Sequence, residues 1–219
     1  MRGRAAEWIC RLACIGVLAL ASSALEATRQ QASQPSATPS SAQAVVELHA
    51  GNYVAVFLPD QARLPAGGHK LTVGFAGTTG VQPTPVIDAG TPAGRTRRVR
   101  YQELWPGITL EFTLNAKGVC EAIYRLAPGA AAESIRLRYS VAPQLQPDGQ
   151  LIFRFPQGQF SESSPEAWQN VEGRRVKVAV AFTVSNGEVG FSVGNYDRRY
   201  PLTIDPSFGA MPELGQGRR

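Results

Sequence analysis

Alternation of apolar and polar residues is the strongest pattern in this chain, and it is clearest around residue 180. In VKVAVAFTVSNGEVGFSVG, residues 176–194, every second position from Val176 to Val184 is a valine or a phenylalanine. Because strand side chains point to alternate faces, this pattern predicts a strand with one buried face. Asn186-Gly187 then favours a tight turn with two positive φ angles, and the apolar alternation resumes beyond it. The sequence therefore predicts a β-hairpin here.

Short strands are predicted along the rest of the chain up to residue 206, each bounded by glycine, proline or aspartate. A last strand through Leu202 and Ile204 is closed by Pro206. No segment keeps a helical period for three turns. The pattern predicts an all-β fold, antiparallel and sandwich-like, with two packed β-lobes that meet near 90–98 as the alternative arrangement. The other predicted strands are 45–49, 53–58, 70–75, 107–114, 119–126, 134–139, 150–155 and 166–171.

The N-terminal end of the chain differs from this β-rich body. Arg2 and Arg4 precede an apolar run from Leu12 to Ala21, and small residues follow at 22–24. A basic start, a short apolar run and a small-residue exit are typical of a secretory signal peptide. A membrane-spanning helix would need about 20 apolar residues. We therefore predict that residues 1–24 are a signal peptide and that the protein is exported to the periplasm, the cell surface or the medium.

Composition divides what remains into three parts. Residues 25–44 consist almost entirely of Ala, Ser, Thr, Gln and Pro, which predicts a flexible linker. Residues 45–206 form the predicted β-rich domain, and residues 207–219 the predicted flexible tail. The net charge of +5 falls when the basic leader is removed, and nucleic-acid binders usually carry a concentrated basic face. We expect no nucleic-acid partner, and no integral membrane segment after cleavage.

Candidate chemistry is sparse. Three glutamates, Glu103, Glu111 and Glu121, lie in adjoining predicted β-segments, and a glycosidase needs only two carboxylates. Each has a structural alternative, since Glu111 alternates with apolar neighbours as a solvent-facing strand residue does. A hydrolase that uses two of these carboxylates is therefore the alternative to a non-enzymatic domain. Two of them would have to converge in one cleft.

Other reactive residues favour structural roles. His49 and His69 lie 20 positions apart, and together with one cysteine they do not form a zinc set. No Asp-x-Asp-x-Asp-Gly loop indicates a calcium site. Cys120 is the cysteine that remains after cleavage, and its apolar neighbours predict a buried side chain rather than a reactive thiol. We expect no catalytic residue, no metal and no cofactor.

Two surface features could bind a ligand. The run RTRRVR, residues 95–100, could hold an anion, although its arginines could equally keep a strand edge soluble and unpaired. A sugar platform could be built from aromatic side chains, although spaced aromatics are ordinarily core and rim residues. The candidates are Trp105, Trp168, Tyr53 and Tyr196.

The second half of the chain resembles a known family. Its phrases VRYQELWPGI, APG, IRLR, GRRV, GNYD and LTIDP follow one another within residues 99–206. In this order they resemble the N-terminal β-domain of bacterial secreted proteins that carry SBBP-type β-propeller repeats. The resemblance implies an exported β-domain that has no established activity. The propeller itself is not in this sequence, so a truncated remnant of a larger propeller protein is a further alternative.

The sequence thus favours an exported, non-enzymatic β-module that binds or scaffolds at the cell surface. A protein or a glycan is the expected partner, held at exposed strand edges or on the linker-tethered body. The segment NYDRRYPLTIDP, residues 195–206, concentrates charge near the end of the domain. Asp197, Arg198 and Arg199 lie in a predicted bend before the last strand, where Asp can pair with Arg. This segment is predicted to be a structural junction rather than a reaction site.

Overall fold

The structure is a computed structural model, and it describes residues 45–66, 68–87, 97–115, 119–156 and 158–210. The predicted signal peptide (1–24) and linker (25–44) lie outside the described residues. Residues 211–219 and most of the predicted lobe boundary at 90–98 also lie outside them. The described ranges therefore belong to the β-rich body and the first residues after it.

Short antiparallel strands account for nearly all the regular structure of the described residues, with one 3₁₀ turn at Ala132–Ser134. The strands before this turn are β1 (Val46–Ala50), β2 (Tyr53–Leu58), β3 (Gln61–Ala66), β4 (His69–Phe75), β5 (Thr84–Pro85), β6 (Arg98–Trp105), β7 (Ile108–Leu114) and β8 (Cys120–Leu126). Those after it are β9 (Leu137–Tyr139), β10 (Gln144–Leu145), β11 (Leu151–Phe155), β12 (Gly158–Glu162), β13 (Glu166–Val171), β14 (Arg174–Val178), β15 (Val180–Ser185), β16 (Glu188–Val193), β17 (Leu202–Asp205) and β18 (Ser207–Ala210).

These strands form two packed antiparallel sheets. The first sheet has the order β1-β2-β3-β4-β9-β16-β15. The second has the order β10-β11-β12-β18-β8-β17-β13-β14, and β7, β6 and β5 extend it from β8. The inward side chains of both sheets make one apolar core that runs from Leu48 to Phe208. The prediction of an all-β, antiparallel, sandwich-like fold is confirmed.

The parts of the chain before and after the predicted boundary at 90–98 contribute strands to the same sheet. Strand β4 comes from the first part of the chain and pairs with β9 from the second, through Phe75 and Leu137. Side chains also join the two sheets, because the Tyr101 hydroxyl donates to the Leu58 carbonyl at 2.8 Å. The indole Nε1–H of Trp105 likewise donates to the Ala76 carbonyl at 3.0 Å. Both parts of the chain therefore share a single core.

The hairpin around residue 186 is confirmed, but its first strand is shorter than predicted. Strands β15 and β16 pair through Val184 and Val189, and Asn186 and Gly187 have φ angles of 52° and 77°. The predicted strand 176–184 is in fact two strands, because the chain crosses from the second sheet to the first at Ala179. Its alternation therefore spans two edges, which explains why Val176 and Val184 are exposed rather than buried.

The domain continues beyond the predicted boundary at residue 206. Strand β18 pairs with β12 and β8, and Phe208 on it is buried. The prediction of a flexible tail is therefore wrong for residues 207–210. The sequence predicts that Pro206 ends the last strand, and it instead separates two consecutive strands of the same sheet.

Most other predicted strands agree with the structure to within one or two residues at each end. The segment 134–139 is only half right, since it begins in the 3₁₀ turn and becomes a strand at Leu137. Sequence reasoning missed β3, β5, β6, β10, β12 and β18, most of which are short or rich in polar residues. No helix among the described residues is long and apolar enough to cross a membrane.

Candidate functional site

The three candidate carboxylates do not form one site. Glu103 lies exposed in an irregular part of β6, Glu111 in the middle of β7 and Glu121, half-buried, on β8. The cavity that Glu103 lines is bounded, among the described residues, by neither Glu111 nor Glu121. The arrangement that a two-carboxylate hydrolase requires is therefore not found at these positions.

Glu111 is buried rather than solvent-facing, contrary to the sequence prediction. Its carboxylate accepts hydrogen bonds from Arg100 Nε and Nη2 at 3.1 and 2.9 Å, and from Arg98 Nη1 at 3.1 Å. Arg100 lies directly across the ladder from Glu111, so the two arginine side chains cover a position that alternation assigns to the outer face. Only 1% of Glu111 is exposed. Glu111 thus has a structural role.

These contacts also account for much of the basic run at 95–100. Arg98 and Arg100 lie on a strand that is paired on both sides, and they neutralise Glu111. Arg98 and Arg100 therefore form neither an anion-binding site nor the protection of an unpaired strand edge. Arg97 is exposed, and Arg95 lies outside the described residues.

The aromatic and histidine candidates have individual structural contacts. Trp105 is buried, and one face of the Trp168 ring is covered by the Arg175 guanidinium at 3.7 Å. His49 forms a hydrogen bond with Glu47 at the surface. The His69 ring stacks on the Phe155 ring, and their centroids are 4.6 Å apart. No group of three metal-ligating side chains occurs within the described part of the chain. Tyr53 is exposed beside the β1–β2 turn, and Tyr196 is half-buried in the bend.

A buried glutamine holds the bend at 195–201, which the sequence predicts to be a structural junction. The Asp197 carboxylate pairs with the Arg199 guanidinium at 2.6 Å, which holds the pKa of Asp197 at about 2. Gln169 on β13 is only 2% exposed. Its Nε2 donates to the carbonyls of Asp197 and Tyr200 at 2.8 and 3.0 Å, and its Oε1 accepts from the Asp197 N–H at 3.0 Å. One side chain thus satisfies three backbone groups of the bend.

A buried polar cluster inside the sandwich has no counterpart among the sequence predictions. The Tyr139 hydroxyl donates to Glu162 Oε2 at 2.7 Å, while Glu162 Oε1 has no hydrogen-bond partner among the described residues. Glu162 is completely buried, and desolvation raises the pKa of its carboxyl to about 8, although the Tyr139 bond lowers it somewhat. Burial also raises the pKa values of Tyr124 and Cys120, which face the same carboxyl. The prediction that Cys120 is buried is confirmed.

The strand edges differ sharply in how they are protected. In the described part of the chain the sheets end at β1, β15, β10, β14 and β5. Unpaired edges usually carry charge, proline or very short strands that prevent pairing with another chain. Strand β14 exposes Arg174, Arg175 and Lys177, β1 carries Glu47 and His49, and β10 and β5 are two residues long.

Strand β15 has none of these protections. It is six residues long, VAFTVS, with no charged residue, no proline and no glycine. Ala181 and Thr183 point outward and are exposed. Val184 lies on the core side, yet 41% of it is exposed, because none of the described strands lies beyond β15. This edge is the site on the described surface that is best suited to accept another strand.

Comparison with known proteins gives one match. The profile of a domain family, described as a domain of unknown function (DUF7948), matches residues 88–207, which is more than half of the chain. No curated protein and no solved structure matches the chain. The match confirms the expectation of a domain with no established activity, whereas the association with propeller repeats stays a prediction.

Proposed function

The chain belongs to DUF7948, a family of domains of unknown function. We propose a function for it on the basis of its sequence and its exposed strand edges. It is an exported, non-enzymatic scaffolding module that docks a protein at strand β15 by strand addition, and the protein it docks is a second copy of this chain. The observation that carries this proposal is the uncharged, unprotected edge of the first sheet.

The register of such a pairing follows from the faces of β15. An antiparallel pair centred on Phe182 keeps core-facing residues opposite core-facing residues, as the period of two requires. Val180 then faces Val184 of the second copy, and Ala181 faces Thr183. The exposed apolar surface of Val184 is covered, no charges oppose each other, and the backbone groups of both edges are satisfied. A six-residue pairing is a small interface, so the association is weak.

Export is supported by the N-terminal pattern. The basic residues, the apolar run from Leu12 to Ala21 and the small residues at 22–24 favour cleavage near Ala24. The domain would then work outside the cytoplasm, in the periplasm, at the cell surface or in the medium.

A role without catalysis is supported by the positions of the glutamates. Carboxylates in glycosidases lie about 5 to 9.5 Å apart across one cleft. Here the Glu111 carboxylate forms salt bridges with Arg98 and Arg100. The cavity at Glu103 has no second carboxylate among the described residues that line it. Scaffolding therefore fits these residues better than hydrolysis does.

A charge placed on the β15 edge should abolish the association. We expect residues 25–219, the form that cleavage would leave, to form dimers at tens of micromolar in sedimentation experiments. Thr183→Lys should be monomeric at the same concentration, because the paired edges would then carry two lysines on one face, each opposite Ala181 of the other copy and diagonal to the other lysine. Asn170→Lys adds the same charge on the outer face of an interior strand, β13, and should leave the dimer unchanged.

The opposite results would overturn the proposal. A wild-type chain that stays monomeric at the highest soluble concentration has no self-docking edge. A dimer that Thr183→Lys leaves intact uses another surface. Matching thermal unfolding curves for the two lysine variants would show that both are folded.

A further inference from the structure

A local irregularity in β6 positions Glu103. Strands β6 and β7 pair regularly as far as Tyr101 and Leu110, and pairing resumes only at Trp105 and Ile108. Three residues of β6 therefore oppose one residue of β7. Glu103 lies in the middle of this bulge with a φ of 50°, a left-handed conformation that non-glycine residues adopt at an energetic cost. Its N–H donates to the Thr109 hydroxyl at 3.4 Å.

The bulge opens a cavity of about 240 Å³. The polar side chains at its wall are Gln102, Glu103, Thr109 and Arg125, and its apolar part is formed by Leu126, Ala127 and Pro201 together with Gly107. Neither Glu103 nor Arg125 forms a salt bridge with a described residue. An acidic residue and a basic residue thus line one cavity without forming a salt bridge with each other.

We propose that this cavity binds one neutral sugar unit of a glycan. Sugar hydroxyls can donate to the Glu103 carboxylate and accept from the Arg125 guanidinium at the same time. The Gln102 amide and the Thr109 hydroxyl can do both, while the C–H face of the ring packs on Leu126 and Pro201. This site is separate from the β15 edge, and neither proposal depends on the other.

Size and charge select this ligand class. Pockets for drug-sized molecules begin at about 300 Å³, so a cavity of about 240 Å³ suits a single ring. One negative and one positive side chain at the same cavity give no net attraction for an anion or a cation. A neutral, hydroxyl-rich ring gains hydrogen bonds from both charges and opposes neither. Glu103 lines this cavity with a positive φ, a conformation whose cost a glycine would avoid.

The backbone conformation supplies a matched pair of variants. Glu103→Gly removes the carboxylate and retains the left-handed conformation without strain. Glu172→Gly makes the same change at an exposed glutamate with the same φ of 50°, in the turn between β13 and β14. Neither variant is expected to lower the thermal unfolding temperature, because both relieve the same strain.

Affinity electrophoresis of residues 25–219 in gels that contain soluble polysaccharides tests the proposal. The neutral probes are dextran, mannan and laminarin, and the charged probes are alginate and dextran sulfate. We expect at least one neutral probe to retard the wild-type chain and Glu172→Gly equally. Glu103→Gly should bind that probe about tenfold more weakly or not at all.

Three results would overturn the inference. They are no retardation by any neutral probe, retardation by charged probes alone, or retardation that Glu103→Gly leaves unchanged. Polysaccharide binding should not depend on the dimer, so the neutral probe should retard Thr183→Lys as much as the wild-type chain. The two proposals can therefore fail independently.

Discussion

The free energy of unfolding is expected to fall by several kcal/mol between about pH 5 and about pH 9, because Glu162 must lose a proton inside the core. The carboxyl is completely buried, one of its oxygens has no hydrogen-bond partner in the part of the chain that the structure describes, and its pKa is raised from 4.5 to about 8. The groups that face it, Tyr139, Tyr124 and Cys120, are neutral over this range.

The sign follows from the two pKa values. Between about pH 4.5 and pH 8 the folded domain keeps a proton that the unfolded chain has released, so folding takes up a proton and is weakened as the pH rises. The stabilisation is complete below the unfolded pKa and is lost as the pH passes through the folded one. Asp205 acts in the same direction, since burial and its neighbours Glu121 and Glu166 raise its pKa. Asp197 has a lowered pKa and acts in the opposite direction at lower pH.

Glu162→Gln should remove most of this dependence. The amide cannot ionise, so urea unfolding of the variant at about pH 5, 7 and 9 should give a much flatter profile than that of the wild type. At low pH the variant should be less stable, because the amide buries one more polar hydrogen than the neutral carboxyl does, and at high pH it should be more stable than a buried carboxylate. The two profiles should therefore cross. Glu172→Gln, at an exposed position in the turn between β13 and β14, should keep the wild-type slope, and an equal slope in Glu162→Gln would contradict the assignment.

Gln169→Leu is expected to lower the free energy of unfolding by about 3 kcal/mol. Leucine has a similar volume and fills the space, but it leaves the Asp197 N–H and the Tyr200 carbonyl without the glutamine, while the Asp197 carbonyl keeps the Tyr200 N–H at 3.1 Å. Each buried backbone group that loses its hydrogen bond costs about 1 to 3 kcal/mol, and water can reach part of this bend. Urea unfolding of both proteins at one pH measures the difference.

The neighbouring residue provides the control. Asn170 is exposed on the same strand, so Asn170→Leu should change stability by no more than about 0.5 kcal/mol. Gln169→Glu should also destabilise, because a carboxylate can accept from Asp197 but cannot donate to two carbonyls. A stable Gln169→Leu variant would mean that the bend holds its shape without this side chain.

The fold is predictable because local patterns agree with it. The alternation on both sides of Asn186-Gly187 is set by the pleat and by the turn, and both are local. Local patterns do not reveal which sheet each strand joins. The alternation from Val176 to Val184 runs unbroken across Ala179, where the chain changes sheets, so it predicts one long strand where two edge strands exist.

The polar sites depend on partners that lie far away in the sequence. Glu111 resembles a solvent-facing residue because alternation cannot show that Arg98 and Arg100, 13 and 11 positions earlier, cover it. Glu162 carries a usable signal, since it falls on the same face as Phe160, but β12 itself is not among the predicted strands. The bulge at Glu103 has no sequence signature of its own, because its positive φ occurs at a residue type that normally avoids it.

The single core has a consequence for what can be cut from this chain. The region that matches the family, residues 88–207, omits β1 to β4, which are four of the seven strands in the first sheet. Without them Tyr101 and Phe112 lose the rings of Phe75 and Phe57, which lie 5.1 and 5.2 Å away. The segment that matches the family is thus shorter than the segment that we expect to fold on its own. A fragment cut at its borders should aggregate, and a soluble one must begin before Val46 and extend through Ala210.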